Sequence, residues 1–183
     1  MRKIITENED GYNPAINSIE VKVTDSLEMQ VGRLLHERGL KLVLAESCTG
    51  GLLGSRLTDV PGSSEYFLAS VVAYAYEAKV ALLNVSWDTL NTKGAVSRET
   101  VLEMARGIRN GMNADIAISV SGIAGPGGGT PEKPVGTTWI GFVTGKGEWA
   151  QVFHFSGDRE ENKKFAVEAA LKLLLDGLQG DQV

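Results

Sequence analysis

Cysteine is almost missing from this chain. Cys48 is the single one, so no intrachain disulfide is possible. Histidine is nearly as scarce. With only His36 and His154 beside that cysteine, a soft-metal site is hard to build, and a divalent ion would have to rely on carboxylates. No metal and no cofactor is expected. An excess of basic charge is lacking too. Lys plus Arg number 18 against 23 Asp plus Glu, a formal net charge of -5, and nucleic-acid binding leans on a basic footprint. A small anionic substrate stays open, because a few local donors hold one phosphate. No apolar run approaches the roughly 18 residues of a membrane helix. The opening stretch MRKIITENEDGYNPAINS has two basic residues with no apolar core behind them, so it does not read as a secretory signal. A soluble, cytoplasmic protein without a nucleic-acid or membrane partner is the expectation. No clear repeat or low-complexity segment is visible.

What is present is ordinary globular material. The 183 residues are 43% hydrophobic and 22% charged, enough for one domain with a sizeable core. Residues 1–18 are polar and aperiodic, broken by Gly11 and Pro14. They read as a flexible arm, or as an arm that docks on a second subunit, and leave 19–183 as a single domain. Leu27, Val31, Leu34 and Leu35 recur at helical spacing, and that helix ends near Gly39. Lys41–Ala45 is a short apolar strand, followed by a helix over LLGSRLTDV. Tyr66–Tyr74 reads as a second buried strand and Glu77–Leu83 as a short helix. Ser97 is a good N-cap for a helix striped by Val101, Met104, Ala105 and Ile108. Asp115–Ser121 is a third strand. Thr137–Thr144 and Trp149–Phe155 form a hairpin around Gly145-Lys146-Gly147, and Asp158 opens a final helix. The alternation predicts a three-layer α/β/α sandwich with a mixed, mostly parallel sheet. The pattern does not assign the strand order.

Four stretches carry chemistry. Glu46-Ser47-Cys48-Thr49-Gly50-Gly51 sits at a strand-to-helix turn, where open α/β sheets place ligands. A nucleophile there faces helix amides that favour a phosphate or a developing oxyanion. The plainer alternative is that Ser47 or Thr49 caps the helix and the glycines serve a tight turn. The stretch is not a Walker A loop, for it lacks the terminal Gly-Lys-Ser/Thr. In Tyr74-Ala75-Tyr76-Glu77-Ala78-Lys79 the lysine falls about one helical turn past a strand end. In a dry pocket it would lose its proton readily and act as a base; on a surface it would only be solvated. The loop Ser121–Gly129 either wraps an anion with its amides or merely connects. In Gly157-Asp158-Arg159, the arginine suits a phosphate or carboxylate and the aspartate a helix cap. Cys48 is a rival nucleophile, being a thiol near a helix start. The two histidines have no visible partners, so a histidine-based triad is not expected.

Taken in series, Ala45–Gly51, Tyr74–Lys79, Gly94-Ala95-Val96-Ser97, Ser121–Pro126, Lys133-Pro134-Val135-Gly136-Thr137 and Gly157-Asp158-Arg159 resemble the landmarks of the CinA C-terminal domain family, in its order, over about residues 25–175. The chain is too short for CinA's separate N-terminal domain and resembles the stand-alone form. The resemblance implies a metal-independent nicotinamide mononucleotide deamidase of pyridine nucleotide salvage, releasing ammonia and nicotinic acid mononucleotide. It implies Ser47 as nucleophile, Lys79 as proton acceptor and Tyr74 as a partner in that proton network. Glu46, Cys48, Thr49, Gly50, Gly51, Tyr76, Ser121, Gly122, Ala124, Gly125 and Arg159 are expected to line the nucleotide, with amides near Cys48–Gly50 as the oxyanion hole. A homo-oligomer is expected. One position departs from the pattern: Tyr76 stands where the family usually has asparagine. The rival readings are a catalytically silent nucleotide-binding module and a hydrolase of another nucleotide.

Overall fold

The computed structural model describes residues 25–180 and 183. The arm expected over 1–18 lies outside the described residues. The order of elements is α1 (Leu27–Arg38), β1 (Leu42–Glu46), α2 (Leu52–Thr58), a 3-10 turn (Ser63–Glu65), β2 (Phe67–Val72), α3 (Tyr76–Leu83), α4 (Trp87–Lys93), α5 (Arg98–Met112), β3 (Ile116–Gly122), β4 (Thr137–Val143), β5 (Glu148–His154) and α6 (Arg159–Gln179).

The five strands form one sheet in the order β2-β1-β3-β4-β5. β1 pairs in parallel with β2 and β3, while β4 runs antiparallel to both β3 and β5. The sheet is mixed, as expected. Four strands share a direction and only β4 opposes them, yet the hydrogen-bonded pairings divide evenly between the two kinds.

The layering follows from β1. All five of its residues are buried, and side chains alternate between the faces of a strand. Leu42 and Leu44 join Val31, Leu53, Leu57, Val167 and Leu171 on the face covered by α1, α2 and α6. Val43 and Ala45 join Leu83, Leu90, Leu102, Met104 and Ile108 under α3, α4 and α5. The chain thus leaves β1 over one face to reach β2, then crosses the other face to reach β3. That reversal opens a crevice at the carboxyl ends of β1 and β3.

Two expectations change. The second strand is not buried: Leu68 is 40% and Val72 44% exposed, because β2 has a neighbour on one side only. The helix α4 carries no apolar stripe to announce it. Its sequence WDTLNTK buries Thr89 and Leu90 alone, and Ser86 caps it by accepting from the Thr89 amide at 2.9 Å. Elsewhere local chemistry acts as expected. Ser97 accepts from the Thr100 amide, and Asp158 with Glu161 closes a reciprocal capping box at α6. Among the described residues, no helix is long and apolar enough to cross a membrane.

Candidate active site

At the carboxyl end of β1 the chain buries a carboxylate. Glu46 is fully inaccessible, and an unpaired charge there would be very costly. It is fully partnered. One oxygen accepts from Thr49 Oγ1 at 2.7 Å and from the amides of Gly51 and Leu53 at 3.0 and 3.2 Å. The other accepts from the Gly54 amide at 2.9 Å and Ser70 Oγ at 2.7 Å. Glu46 therefore caps α2 and ties it to β2. Gly50 and Gly51 take φ of 63° and 94°, the left-handed region that only glycine enters freely. Gly54 is needed for space, since a Cβ there would stand 3.0 Å from Ser70 Cβ and 3.2 Å from Glu46 Oε1.

Glu46 and Thr49 spend their side chains on each other and on the helix start, and so hold the turn in place. The amides of Gly51, Leu53 and Gly54 are also taken. Gly50 donates to the Ser47 carbonyl at 3.2 Å. Of the expected oxyanion donors, the amides of Cys48 and Thr49 remain without an acceptor among the described residues.

The turn presents Ser47, whose amide donates to the Val120 carbonyl at 2.9 Å and so carries β1 one residue further along β3. Opposite it stands Lys79, on α3 and wholly buried. Lys79 Nζ lies 3.0 Å from Ser47 Oγ, 2.7 Å from the Ala73 carbonyl and 3.1 Å from the Tyr74 carbonyl. No carboxylate neutralises it among the described residues. Burial therefore lowers its pKa to about 8, against a small opposing pull from Cys48. The same burial raises the Cys48 thiol to about 11. A thiol so placed is seldom a thiolate near neutrality, which weakens its claim as nucleophile.

Tyr74 reaches Lys79 through its backbone. Its side chain is 62% exposed, and its hydroxyl accepts from Arg159 Nη2 at 3.1 Å. Arg159 Nη1 also donates to the Gly125 carbonyl at 2.6 Å. Ser121 and Tyr76 hold Ala95 from two sides. The buried Ser121 hydroxyl donates to the Ala95 carbonyl at 2.8 Å, and the Ala95 amide donates to Tyr76 Oη at 3.3 Å. The glycines of the third strand's loop serve close packing. A Cβ on Gly122 would run into Thr138 Oγ1, and one on Gly125 would meet Val135 Cγ1 at 2.6 Å.

Two participants escape the sequence reading. Asn162, 2% exposed, donates to the carbonyls of Ala124 and Gly157 and accepts from the Gly157 amide. It fastens the loop carrying Ala124 and Gly125 onto α6. Lys163 brings its ammonium against Gly50, where a Cβ would lie 3.7 Å away. The only hint in the sequence is that Asn162 and Lys163 follow Arg159 within about one helical turn.

Among the described residues, no group of three or more His, Cys, Asp or Glu is placed to hold a metal. A concavity of about 430 Å³ between α1 and the Val60–Tyr66 turn shares no residue with the Ser47–Lys79 pair. The Ser47–Lys79 pair lies instead by the carboxyl ends of β1 and β2.

The chain is similar in sequence and fold to known proteins. The model of the CinA C-terminal domain matches residues 24–178. A CinA-like protein of Chlorobaculum tepidum is 53% identical over 155 residues, covering 82% of this chain and 37% of the relative. A CinA-like protein of Desulfotalea psychrophila is 47% identical over 150 residues, with shares of 82% and 36%. The chain thus spans little more than a third of these curated relatives. The crystal structure of competence damage-inducible protein A from Klebsiella pneumoniae superposes with a TM-score of 0.82 at 39% identity, covering 85% of this chain and 97% of that one. That of a competence/damage inducible protein from Agrobacterium tumefaciens gives 0.79 at 38% identity, covering 84% and 96%. On this sequence match and this fold, the chain belongs to the CinA C-terminal domain family.

Proposed function

We propose that the domain is a serine amidohydrolase that converts nicotinamide mononucleotide and water to nicotinic acid mononucleotide and ammonia. The observation that carries the reading is the 3.0 Å contact between a buried Lys79 amine and Ser47 Oγ. The other two neighbours of Nζ are carbonyl oxygens, which only accept. A neutral amine satisfies them with its two N–H groups and keeps its lone pair for the Ser47 hydroxyl. The pKa of about 8 makes that neutral form accessible near physiological pH.

In the first step Ser47 Oγ bonds to the carboxamide carbon as its proton passes to Lys79 Nζ. The carbonyl oxygen gains negative charge within reach of the Cys48 and Thr49 amides. The C–N bond then breaks, Lys79 returns the proton to the departing nitrogen, and ammonia leaves. Water attacks the acyl ester next. Lys79 accepts the water's proton and returns one to Ser47, freeing the acid. No step uses a metal.

The test is ammonia release from nicotinamide mononucleotide, run beside nicotinamide and the dinucleotide. Turnover of the mononucleotide, lost in Ser47→Ala, is the expected result. A folded protein that releases no ammonia from any of the three overturns the reading. The second reading, a silent nucleotide-binding module, draws on Tyr76, whose hydroxyl is committed to Ala95. Tight nucleotide binding without ammonia release would favour it.

A further inference from the structure

The first turns of α6 set two cations on one face. Arg159 and Lys163 are four residues apart, the spacing at which side chains are neighbours and like charges disfavour a helix. The acids beside them are engaged elsewhere. Asp158 and Glu161 are used in the capping box, and Glu160 pairs with Lys164 at 2.7 Å. Arg159 donates only to neutral oxygens, those of Gly125 and Tyr74. Lys163 is half-buried and has no hydrogen bond or ion pair among the described residues. The other amines around the site are spoken for: Lys79 holds Ser47 and two carbonyls, and Lys133 donates to the Lys93 carbonyl at 2.7 Å.

Lys163 is thus a half-buried cation without a counter-charge among the described residues, and an arriving anion would supply one. It stands against Gly50, where the missing side chain leaves the turn open, and its charge is felt at the Cys48 thiol. Ser47 and Gly50 close one tight turn, the Gly50 amide donating to the Ser47 carbonyl, so their Cα atoms lie within about 7 Å. Lys163 Nζ, 3.7 Å from the Cβ position of Gly50, therefore stands on the same turn that presents Ser47.

We propose that Lys163, with Arg159 one turn before it, is the seat of the substrate's phosphate. The identity of the nucleotide rests on the deamidase reading, but the anion seat is testable without it. Two variants serve: Lys163→Met, which keeps the stem and helix propensity, and Lys163→Arg, which keeps the charge. Kinetics are measured on nicotinamide mononucleotide and on nicotinamide riboside, which lacks the phosphate. Inorganic phosphate binding is measured by calorimetric titration of the same proteins. Lys163→Met is expected to raise KM for the mononucleotide about tenfold or more with kcat little changed, and to leave the riboside unaffected. Lys163→Arg should retain mononucleotide affinity within about threefold. Equal effects on both substrates, or none, overturn the seat. If the wild type deamidates neither substrate, the deamidase reading fails and the titration decides alone. Phosphate binding weakened in Lys163→Met and kept in Lys163→Arg upholds the seat. No phosphate binding by the wild type, or equal binding by all three, overturns it.

Discussion

Tyr74 accepts from Arg159 through its hydroxyl and from Lys79 through its carbonyl, each at 3.1 Å. One residue thereby joins the buried amine to the last helix, by its backbone on one side and its ring on the other. Tyr74→Phe removes only the outer link. We expect it to leave the pH profile of kcat unchanged and to raise KM a few-fold, about the worth of one solvent-exposed hydrogen bond. A shifted profile or a hundredfold fall in kcat would put the phenol itself in the proton path.

Ser47→Ala should lower kcat at least about a thousandfold, as loss of a covalent nucleophile does. Cys48→Ala should keep most of the activity, since burial leaves the thiol near 11. Steady-state ammonia release on both variants decides. An active Ser47→Ala protein would remove serine from the mechanism.

Lys79 gives a pH signature in rate and another in stability. Activity needs the free amine, so kcat/KM should rise through about pH 8 and level off above it. Lys79→Arg should be nearly inactive, because guanidinium keeps its proton. Folding lowers this pKa from 10.5 to about 8. Between those values the unfolded chain binds more protons, so this group makes the protein more stable as pH rises from 8 to 10.5. Below about pH 8 the buried charge costs up to about 3 kcal/mol. Lys79→Met should therefore stabilise the fold more at about pH 7 than at about pH 10. Denaturant melts at the two pH values measure this, and a gain that fails to shrink at the higher pH would contradict the buried charge.

Glu46→Gln replaces an acceptor-only group by one that carries two donors of its own. Five donors converge on that carboxylate, so some must face an N–H instead of an oxygen. A loss of about 3 kcal/mol is expected, with turnover falling as the Ser47 turn loosens. Denaturant melts beside the wild type measure the loss, and unchanged stability in Glu46→Gln would mean that the turn accommodates an amide without cost.

Tyr76→Phe should cost no more than about 1 kcal/mol, for it deletes one partly exposed hydrogen bond to Ala95. KM should stay put if the ring serves only the Gly94–Ala95 turn. A tenfold rise would return Tyr76 to the substrate's surroundings.

Legibility in the sequence tracks whether a residue's role is local. The α5 stripe, the Ser97 and Asp158 caps and the apolar strands β1 and β3 are all readable, because period and cap chemistry are properties of neighbours in sequence. β2 misleads because FLASVV carries the same letters as a buried strand. Its edge position depends on strand order, which no single segment encodes. Glu46 reads as a ligand because its tie to Ser70, 24 residues away, is not written in its neighbours. Lys163 is invisible because only the lie of α6 along the Gly50 turn gives it a place. Ser47 and Lys79, 32 residues apart, are named through resemblance and brought together by the fold.

The cap on α2 has a consequence for how this site comes into being. Glu46 absorbs the amides that a helix start would otherwise offer an anion, so positive charge has to be imported from the other end of the chain. The importer is α6, which also roofs one face of the sheet beside α1 and α2. A chain still leaving the ribosome has Ser47 and Lys79 long before it has Arg159 and Lys163. Shortening α6 from its start would strip the cations beside the Ser47 turn and the roof over that face of the sheet together.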